Sequence, residues 1–496
     1  MQHEIETDFF TSKQHHYSLQ IFTMQFNSIE FLLYLPIVFL LYWSLHKSIK
    51  IQNAFIVLVS YVFYGWWNVR LLFLIALTSL LSYLSGVYIE KIGTAEKPIR
   101  FITQKSIMLA NVVVNLFILC LFKYYNFFID NLVGLLDVFG IHLEMRTLQL
   151  ILPVGISFYT FQALSYTIDV YHQKIKPTRD VIAFFAYVSF FPQLVAGPIE
   201  RATNLLPQFL RPRSFNYQKA VDGMRQILWG FFMKVVIADN CAGIVNAIYD
   251  HYATVSWQLL VLGGLMFTFQ IYGDFSGYSN IAIGCARLFG FDLMANFKTP
   301  YFSCNIPEFW RRWHISLNTW FRDYVYIPLG GNREGRTKQI RNIMVVFGLS
   351  GLWHGANWTY VAWGLYHGLF VAFHRKGGWF DRRNAMTILT TLILVVFGWI
   401  LFRAESISQA ISYIGGIFTL QSGMSFAELS LSSIQVIGVS AFILLMMICE
   451  LFTEDKAHPL VNLPTNRPLR WCIYLLLVLS LLVFPGKSET FIYFQF

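Results

Sequence analysis

Long apolar segments alternate with short polar stretches along almost the whole chain. The segment at 29–45, IEFLLYLPIVFLLYWSL, contains one acid and no base, and the segments at 388–402 and 434–449 contain no charge. The last long apolar segment lies at 471–485. A helix needs about 20 apolar residues to cross the hydrocarbon layer of a membrane, and most of these segments reach that length with their flanks. By this criterion the pattern predicts roughly eleven to thirteen membrane-embedded segments.

The composition supports a membrane protein built from helices. Hydrophobic residues make up 56% of the chain and charged residues 13%, whereas a soluble domain has about 25% charged residues. The mean hydropathy is +0.52. Because lipid offers no partner for open backbone groups, the spanning segments are expected to be helical. The short alternating strands of a membrane β-barrel are absent from the sequence. We therefore predict an all-α polytopic membrane protein.

Three polar stretches interrupt the apolar segments. The stretch at 197–223 is amphipathic and punctuated by proline, and the stretch at 300–342 is rich in arginine and tryptophan. The stretch at 403–431 is too polar to span, and it predicts a surface helix followed by a Gly-Gly loop. These features indicate interfacial or re-entrant helices between the spans.

One of these stretches predicts a single amphipathic helix over 308–323. Its apolar face carries Trp310, Trp313, His314, Leu317, Trp320 and Phe321, because these positions recur at helical spacing. Pro307 and Pro328 bracket the helix, and the following sequence PLGGNREGR predicts a turn. We expect His314 to point inward from an interfacial or re-entrant helix.

The charge pattern predicts the orientation in the membrane. The formal net charge is +10, and the bases cluster in short loops at 201–213, 311–341 and 375–383. By the positive-inside rule these loops face the cytoplasm. Nucleic-acid binding is a poor explanation for bases confined to short loops, so we expect no nucleic-acid partner but contact with membrane lipids.

The cysteines and histidines lack the spacing of a metal site. The six cysteines at 120, 241, 285, 304, 449 and 472 form no C-x-x-C pair, and H-E-x-x-H is absent. We expect neither a zinc site nor a redox motif.

The first 23 residues differ from the rest of the chain. They are polar and mixed in charge, and they lack the basic and apolar regions of a signal peptide. We interpret 1–23 as a polar N-terminal extension and 24–496 as one membrane domain, with Met24 as the expected functional start. No internal repeat or low-complexity linker divides this domain.

His354 is the first candidate for chemistry. It lies in SGLWHGANW, where Gly351 and Gly355 allow another helix or a substrate to come close. Desolvation disfavours the charged imidazole, and a neutral imidazole is a usable general base. The alternative is a core histidine that is hydrogen-bonded to a neighbouring helix. His314 has a similar alternative, as an interfacial anchor among aromatic rings.

Two other motifs resemble known functional motifs but do not match them. GDFSGYSN at 273–280 places Asp274 and Ser276 among apolar residues, but it lacks the spacing and the strand of a serine nucleophile elbow. We predict that these side chains line a polar cavity and contact a substrate there. GGNREGRTK resembles a phosphate-binding loop only loosely, because Gly335 is followed by Arg336 rather than by lysine.

Several long blocks resemble one known family. The blocks FWRRWHISLNTWFRDYVYIPLGGNR and GLWHGANWTYVAWGLYHG resemble the signatures of the membrane-bound O-acyltransferase (MBOAT) superfamily, and more narrowly its bacterial alginate O-acetylase branch. The segments at 153–171, 188–202 and 272–284 are similar to the same branch. The resemblance covers nearly everything after Met24.

The resemblance implies a fold and a chemistry. Members of the family are helical bundles around a central funnel or tunnel, and it is lined by a catalytic histidine, here His354, and a second histidine, here His314. A thioester donor arrives from the cytoplasm, and an acceptor hydroxyl is presented from the other side. The alginate branch hands acetyl groups to periplasmic partners that decorate an exopolysaccharide.

These implications define the expected substrates and partners. We expect a multi-pass protein of the inner membrane with no tightly bound cofactor, which uses acetyl-CoA or an acyl carrier protein as donor. The expected partner is an SGNH-type acetyltransferase outside the cytoplasm, and the final acceptor is a polysaccharide such as alginate. The basic loops suit an anionic donor.

Acyl transfer needs a base for the hydroxyl and a donor for the developing oxyanion. His354 supplies the first function. His314, Asn357 or the indole N–H of Trp310 or Trp313 could assist the second or position the acyl chain. Two alternatives stay open at the level of sequence: a D-alanyl transferase for teichoic acid, and a polysaccharide or lipid transporter without chemistry of its own.

Overall fold

The computed structural model describes residues 24–94, 102–143, 147–148, 150–195, 197–375 and 377–494. The predicted N-terminal extension lies outside these residues. The helices of the first half are α1 (Ile29–Ser44), α2 (Ile49–Gly65), α3 (Leu72–Gly93), α4 (Gln104–Lys123), α5 (Tyr125–Val138), α6 (Ile156–Tyr171), α7 (Val181–Ser189), α8 (Phe191–Leu194), α9 (Ala202–Phe209), α10 (Tyr217–Phe231) and α11 (Asp239–Asp250).

The helices of the second half are α12 (Trp257–Leu288), α13 (Ile306–Arg312), α14 (Ile315–Phe321), α15 (Arg336–His354), α16 (Trp358–Phe373), α17 (Ala385–Arg403), α18 (Ile407–Phe418), α19 (Ser433–Phe452) and α20 (Arg467–Val483). Turns of π-helix follow α10 at Phe232–Ala238 and α14 at Arg322–Tyr326. In the described part of the chain the only β-pairing is an isolated bridge between Val255 and Met424. The predicted all-α fold is confirmed.

Within the described ranges, six helices are long and apolar enough to cross a membrane. They are Val69–Gly93, Gln104–Lys123, Tyr217–Asp250, Trp257–Leu288, Ala385–Arg403 and Ser433–Phe452. Shorter apolar helices are Ile29–Ser44, Ile49–Gly65 and Ile407–Phe418. The chain is a multi-pass membrane protein. The sequence predicted roughly eleven to thirteen membrane-embedded segments, a number that also counts short and broken helices. That larger number stays a prediction.

Helix α12 lies at the centre of the bundle and packs closely against α10. Gly277 faces Gly230, and Gly284 faces Gly223, so that backbone approaches backbone at two points along the crossing. A side chain at any of these glycines would meet the carbonyl oxygen of its partner. Small residues at such contacts are typical of helix pairs in membranes.

Helices α15 and α16 form a second close pair, and it fixes the position of His354 at the carboxyl end of α15. A Cβ atom on Gly351 would collide with the backbone of Tyr360, and one on Gly355 would collide with the Tyr360 ring. Gly364 approaches Phe347 in the same way. The sequence predicted that the small neighbours of His354 allow the approach of either another helix or a substrate. The structure shows the approach of another helix, α16.

The single helix predicted over 308–323 is wrong. Helix α13 ends at Arg312, Trp313 is extended, and His314 adopts a left-handed conformation with φ of 44° before α14 begins. The break is stabilised from outside the segment, because Ile315 N–H donates to the backbone oxygen of Asn296 at 2.9 Å. The predicted inward face is nonetheless buried: Trp310, Trp313, His314, Leu317, Trp320 and Phe321.

The stretch at 403–431 contains the predicted helix, but the Gly-Gly loop is wrong. Gly415 and Gly416 lie within α18, and Gly416 packs against Leu260 of α12. The predicted turn after Pro328 is confirmed, since Gly330, Gly331 and Gly335 all have positive φ.

The basic loops are joined by ion pairs. Arg312 and Arg383 both contact Glu454, at 2.5 Å and 2.6 Å, and Arg312 also pairs with Glu308 at 2.7 Å. These contacts connect the end of α13, the start of α17 and the end of α19. We call the side of the bundle that carries these loops the basic face.

The last described segment, 484–494, folds back from α20 into the bundle. Gly486 N–H donates to the oxygen of Val235, and the Asn240 side chain donates to the oxygen of Phe484. Phe491 and Ile492 are buried, at 0% and 4% exposure. We call residues 484–494 the terminal segment, and it brings Tyr493 into contact with the two candidate histidines.

Candidate active site

Asn296 holds His314 in place. The Asn296 side chain donates to Ser279 Oγ at 3.2 Å, and its oxygen accepts the Ser316 hydroxyl at 2.9 Å. The same oxygen lies 3.0 Å from His314 Nδ1, so Nδ1 carries the proton that is donated. His314 Nε2 is then the unprotonated nitrogen, and it is buried without a hydrogen-bond partner among the described residues.

The backbone at His314 supports a functional role. A left-handed conformation of a residue other than glycine costs about 1–3 kcal/mol, and such residues cluster at active sites. The side chain is 1% exposed. The fold therefore maintains a strained and fully buried histidine. An interfacial anchor needs neither the strain nor the full burial, so both features favour a functional role.

His354 is held by its own helix. Its Nδ1 lies 2.6 Å from the backbone oxygen of Ser350, one turn earlier, and the side chain is 2% exposed. Since the carbonyl can only accept, Nδ1 is the protonated nitrogen of the neutral ring. Nε2 of His354 is then available to take a proton, as a general base requires.

The structure brings the two histidines together with a tyrosine that the sequence did not indicate. The ring centroids of His314 and His354 are 6.4 Å apart. The ring of Tyr493 lies 5.8 Å from that of His354 and 6.3 Å from that of His314. The one available sequence signal for Tyr493 is the aromatic cluster FIYF that follows the polar GKSET near the end of the chain.

A small cavity of about 50 Å³ reaches His354. Its lining includes Lys123, Phe158, Trp353 and Tyr493, together with residues 152–157. The ammonium group of Lys123 donates to the backbone oxygens of Trp353 at 2.7 Å and of His354 at 3.1 Å. Lys123 was not among the predicted site residues, because only the folded chain places helix α4 beside the end of α15.

A larger polar cavity of about 270 Å³ lies on the other side of the terminal segment. Its deepest charges are Lys234, Asp239 and Asp274, and the lysine ammonium lies 2.7 Å from each carboxylate. All three side chains are at most 5% exposed. The second oxygen of Asp274 accepts the backbone N–H of Ile492 at 2.7 Å, and Lys234 donates to the oxygen of Glu489 at 2.9 Å. This buried ion group thus anchors the terminal segment.

Asn357 lies in this larger cavity, together with Arg403 and Glu405. Its side-chain oxygen accepts the backbone N–H of Thr359 at 3.0 Å and so caps helix α16. Its amide nitrogen donates to the oxygen of Glu405 at 2.9 Å. The predicted substrate contact of Asn357 stays a prediction, and the observed contacts are those of a helix cap.

A third cavity, of about 80 Å³, opens near the basic face. Its lining includes the buried Ser276, Asn296 and His458, and the more exposed basic residues Arg287, Lys298 and Lys456. Asp274 and Ser276, which are neighbours in sequence, therefore line different cavities. The lining of the third cavity thus includes Asn296, the residue that holds His314.

Trp310 and Trp313 lie in a packed aromatic cluster. The Trp310 ring contacts Trp363 at 5.4 Å, and the Trp363 ring contacts His354 at 4.9 Å between centroids. Trp313 packs on Trp399 at 4.8 Å. Neither Trp310 nor Trp313 lines the three cavities described above, so their predicted contact with a substrate stays a prediction.

The sequence of this chain is similar to one protein family and to several known proteins. Residues 178–413 match the model of the MBOAT, membrane-bound O-acyltransferase family. The chain is 39% identical to the "Probable alginate O-acetylase" of Pseudomonas putida over 95% of this chain and 100% of that protein.

The names of two further relatives refer to other polymers, peptidoglycan and teichoic acid. The chain is 31% identical to the peptidoglycan O-acetyltransferase of Helicobacter pylori, over 96% of this chain and 98% of that protein. It is 30% identical to the teichoic acid D-alanyltransferase of Bacillus subtilis, over 52% of this chain and 70% of that protein.

Proposed function

Because this chain belongs to the membrane-bound O-acyltransferase family, in its alginate O-acetylase-like branch, we propose that it moves acetyl groups from a cytoplasmic thioester across the inner membrane for O-acetylation of an extracytoplasmic polysaccharide. The protein is an O-acyltransferase and a multi-pass membrane protein. The observation that carries the proposal is the meeting of His314 and His354, whose neutral rings lie 6.4 Å apart in the interior.

The proposed reaction uses His354 as the general base. The acceptor hydroxyl gives its proton to His354 Nε2 while its oxygen attacks the thioester carbonyl carbon. The carbonyl π electrons move to oxygen and form a tetrahedral oxyanion. When this intermediate collapses, the C–S bond breaks, the imidazolium returns its proton to the leaving thiolate, and the acetyl ester remains on the acceptor.

His314 is proposed to orient the acceptor. Its Nε2 is the unprotonated nitrogen and lacks a partner among the described residues, so it can accept a hydrogen bond from a second N–H or O–H group of the acceptor, beside the hydroxyl whose proton passes to His354. The bond between Nδ1 and Asn296 fixes both the ring and its tautomer. Holding the reacting atoms in place contributes to the rate through orientation.

Two features support opposite access for donor and acceptor. Helix α15 begins at Arg336 on the basic face and ends at His354, and α17 runs from Ala385 on the basic face to Arg403. The cavity with Asn357, Arg403 and Glu405 therefore lies toward the side away from the basic loops. By the positive-inside rule, the basic face is cytoplasmic.

The third cavity is the proposed access route for the donor. Arg287, Lys298 and Lys456 stand in its lining. Basic side chains attract and steer anionic ligands, such as coenzyme A or the phosphopantetheine of an acyl carrier protein. The acceptor would approach from the opposite side, where we propose that an SGNH-type partner receives the acetyl group before a polysaccharide such as alginate does.

The relatives favour acetyl over D-alanyl transfer. The identity to the named O-acetylase extends over 95% of the chain, whereas the match to the D-alanyltransferase extends over 52%. D-alanyl transfer is nevertheless a distinct outcome of the experiment, because the same two histidines could serve it.

The experiment compares acetylation in cells that produce the wild type or a His354→Ala variant at equal level. Polysaccharide export and ester-linked acetyl groups are measured separately. Loss of acetyl groups with normal export supports the proposal. Loss of export with acetylation of the residual polymer unchanged would instead indicate a transporter, and ester-linked D-alanine in place of acetate would indicate the other transferase.

A further inference from the structure

A cation from a neighbouring helix holds the carboxyl end of the helix that carries His354. Lys123, the last residue of α4, donates to the backbone oxygens of Trp353 and His354. The hydroxyl of the next residue, Tyr124, donates to the oxygen of Leu352 at 3.0 Å. The last carbonyls of an α-helix have no partner within the helix, so these two side chains satisfy groups that need external donors.

The charge of Lys123 is not paired with an acid. No carboxylate of the described residues lies within ion-pair distance of its ammonium group. By contrast, the buried Lys234 contacts two carboxylates at 2.7 Å each. The negative end of the helix dipole offsets only part of a full charge, equivalent to roughly half an elementary charge. No acid therefore balances a charge on Lys123, and the rings of Trp353 and Tyr124 lie 5.8 Å and 6.0 Å from its side-chain nitrogen.

Lys123 also lines the cavity that reaches His354. The other lining residues of that cavity include Phe158, Trp353 and Tyr493 but no acid. An ammonium group has three N–H donors, and the two backbone oxygens use two of them. No further hydrogen bond joins this ammonium to the described residues. One donor thus stays available in a small and largely apolar cavity, where electrostatic interactions are strong.

We propose that Lys123 is a catalytic residue that stabilises the oxyanion of acyl transfer. This inference rests on the proposed function. When the acceptor oxygen attacks the thioester carbonyl and the proton passes to His354, the carbonyl oxygen gains the negative charge. Lys123 donates its remaining N–H to that oxygen, and the bond relaxes when the C–S bond breaks and the carbonyl reforms. Lys123 acts as a hydrogen-bond donor and transfers no proton in this step.

The expected effect is on turnover rather than on binding. Removal of one donor to an oxyanion lowers kcat by about 10²–10³-fold in a well-studied protease. A charge that is needed only when the oxyanion forms acts on kcat, whereas KM for the donor stays close to that of the wild type. A lysine that only caps the helix would lower the amount of folded protein instead.

The experiment uses inside-out membrane vesicles that contain the full-length protein, with labelled acetyl-CoA as the probe. Lys123→Met removes the charge at similar length, and Lys123→Arg keeps a cation. Tyr124→Phe is the matched control, since it removes the neighbouring bond to the same helix end but leaves the charge. We expect kcat to fall about 10²-fold in Lys123→Met, to recover about tenfold or more in Lys123→Arg, and to change less than about threefold in Tyr124→Phe.

The proposal is overturned if Lys123→Met keeps more than about a tenth of the wild-type kcat, or if Lys123→Arg is no more active than Lys123→Met. Should Lys123→Met fail to accumulate, Lys123→Gln replaces it, and equal activity of the Gln and Arg variants has the same meaning. His354→Ala is run in parallel. Full activity of that variant would overturn the proposed function itself, whereas an inactive His354→Ala beside an active Lys123→Met would overturn only the role of Lys123.

Discussion

Asn296 holds His314 across the helix break through one bond to its ring and one bond to the backbone of the next residue, Ile315. The Asn296 side-chain oxygen lies 3.0 Å from His314 Nδ1, and the Asn296 backbone oxygen accepts the N–H of Ile315. One residue therefore stabilises the left-handed turn and selects the tautomer of the imidazole. Asn296 also lines the cavity that opens near the basic face, so this residue contacts both that cavity and His314.

The first prediction concerns this connection. Asn296→Ala leaves the buried His314 Nδ1 without its acceptor, and an unmet buried hydrogen bond costs about 1–3 kcal/mol. We expect acetyl transfer to fall by about tenfold or more at equal protein level. The exposed Asn332, in the turn before α15, provides the control, since Asn332→Ala should transfer at the wild-type rate. Equal rates in both variants would show that the Asn296 contact has no role in the reaction.

The second prediction concerns the buried ion group. Lys234→Met leaves Asp239 and Asp274 close together without their cation, and breaking a buried ion pair in this way costs about 3–5 kcal/mol. We expect a lower unfolding temperature in detergent, measured with the purified protein. A triple variant that also carries Asp239→Asn and Asp274→Asn should regain part of the loss. A single variant as stable as the wild type would show that the ion group does not support the fold.

The third prediction tests the close crossing of α10 and α12. A Cβ atom at Gly277 would lie 2.8 Å from the oxygen of Gly230, which is backbone and cannot turn away. Overpacking of this kind costs about 1–3 kcal/mol, so Gly277→Ala should lower the unfolding temperature. Gly243 lies in helix α11 with open space around it, and Gly243→Ala should be neutral or stabilising. The comparison is contradicted if both variants unfold at the same temperature.

The fourth prediction is a pH dependence at the basic face. Partial burial opposes the shift, but hydrogen bonds from Arg383 and Arg312 lower the pKa of Glu454 below 4.5. A carboxyl group with a lowered pKa contributes stability above its unfolded pKa, and this stability is lost as the pH falls through the folded value. We expect the unfolding temperature to fall below about pH 4.5 in the wild type and to fall less steeply in Glu454→Gln. Parallel pH profiles would exclude Glu454 as the cause.

Much of the fold could be predicted from local patterns. Apolar length and composition indicated a helical multi-pass protein, and helical spacing indicated that the face with Trp310 and His314 is buried. The break at His314 could not be predicted in this way, because it depends on a bond from Asn296 in a different part of the chain. Local periodicity is the same for a continuous and a broken helix when both bury the same face.

The sequence predicted the two histidines of the candidate site but not Lys123 and Tyr493. The flanking glycines and the family resemblance both indicated His354. Lys123 and Tyr493 reach the site through the folding of α4 and of the terminal segment, and no spacing in the sequence connects them with His354. Asp274 and Ser276 appeared as one polar motif, yet their positions on a helix direct them to different cavities. Their predicted contact with a substrate is still to be tested.

The most direct test of the central claim is the rate of acetyl transfer by His354→Ala at a protein level matched to the wild type. The exposed His46 gives the control variant His46→Ala. A general base contributes about 10²–10⁴-fold to a rate, so the His354 variant should lose at least about a hundredfold while the His46 variant keeps the wild-type rate. Retention of more than about a tenth of the wild-type rate by a folded His354→Ala protein would contradict the assignment of His354 as the base.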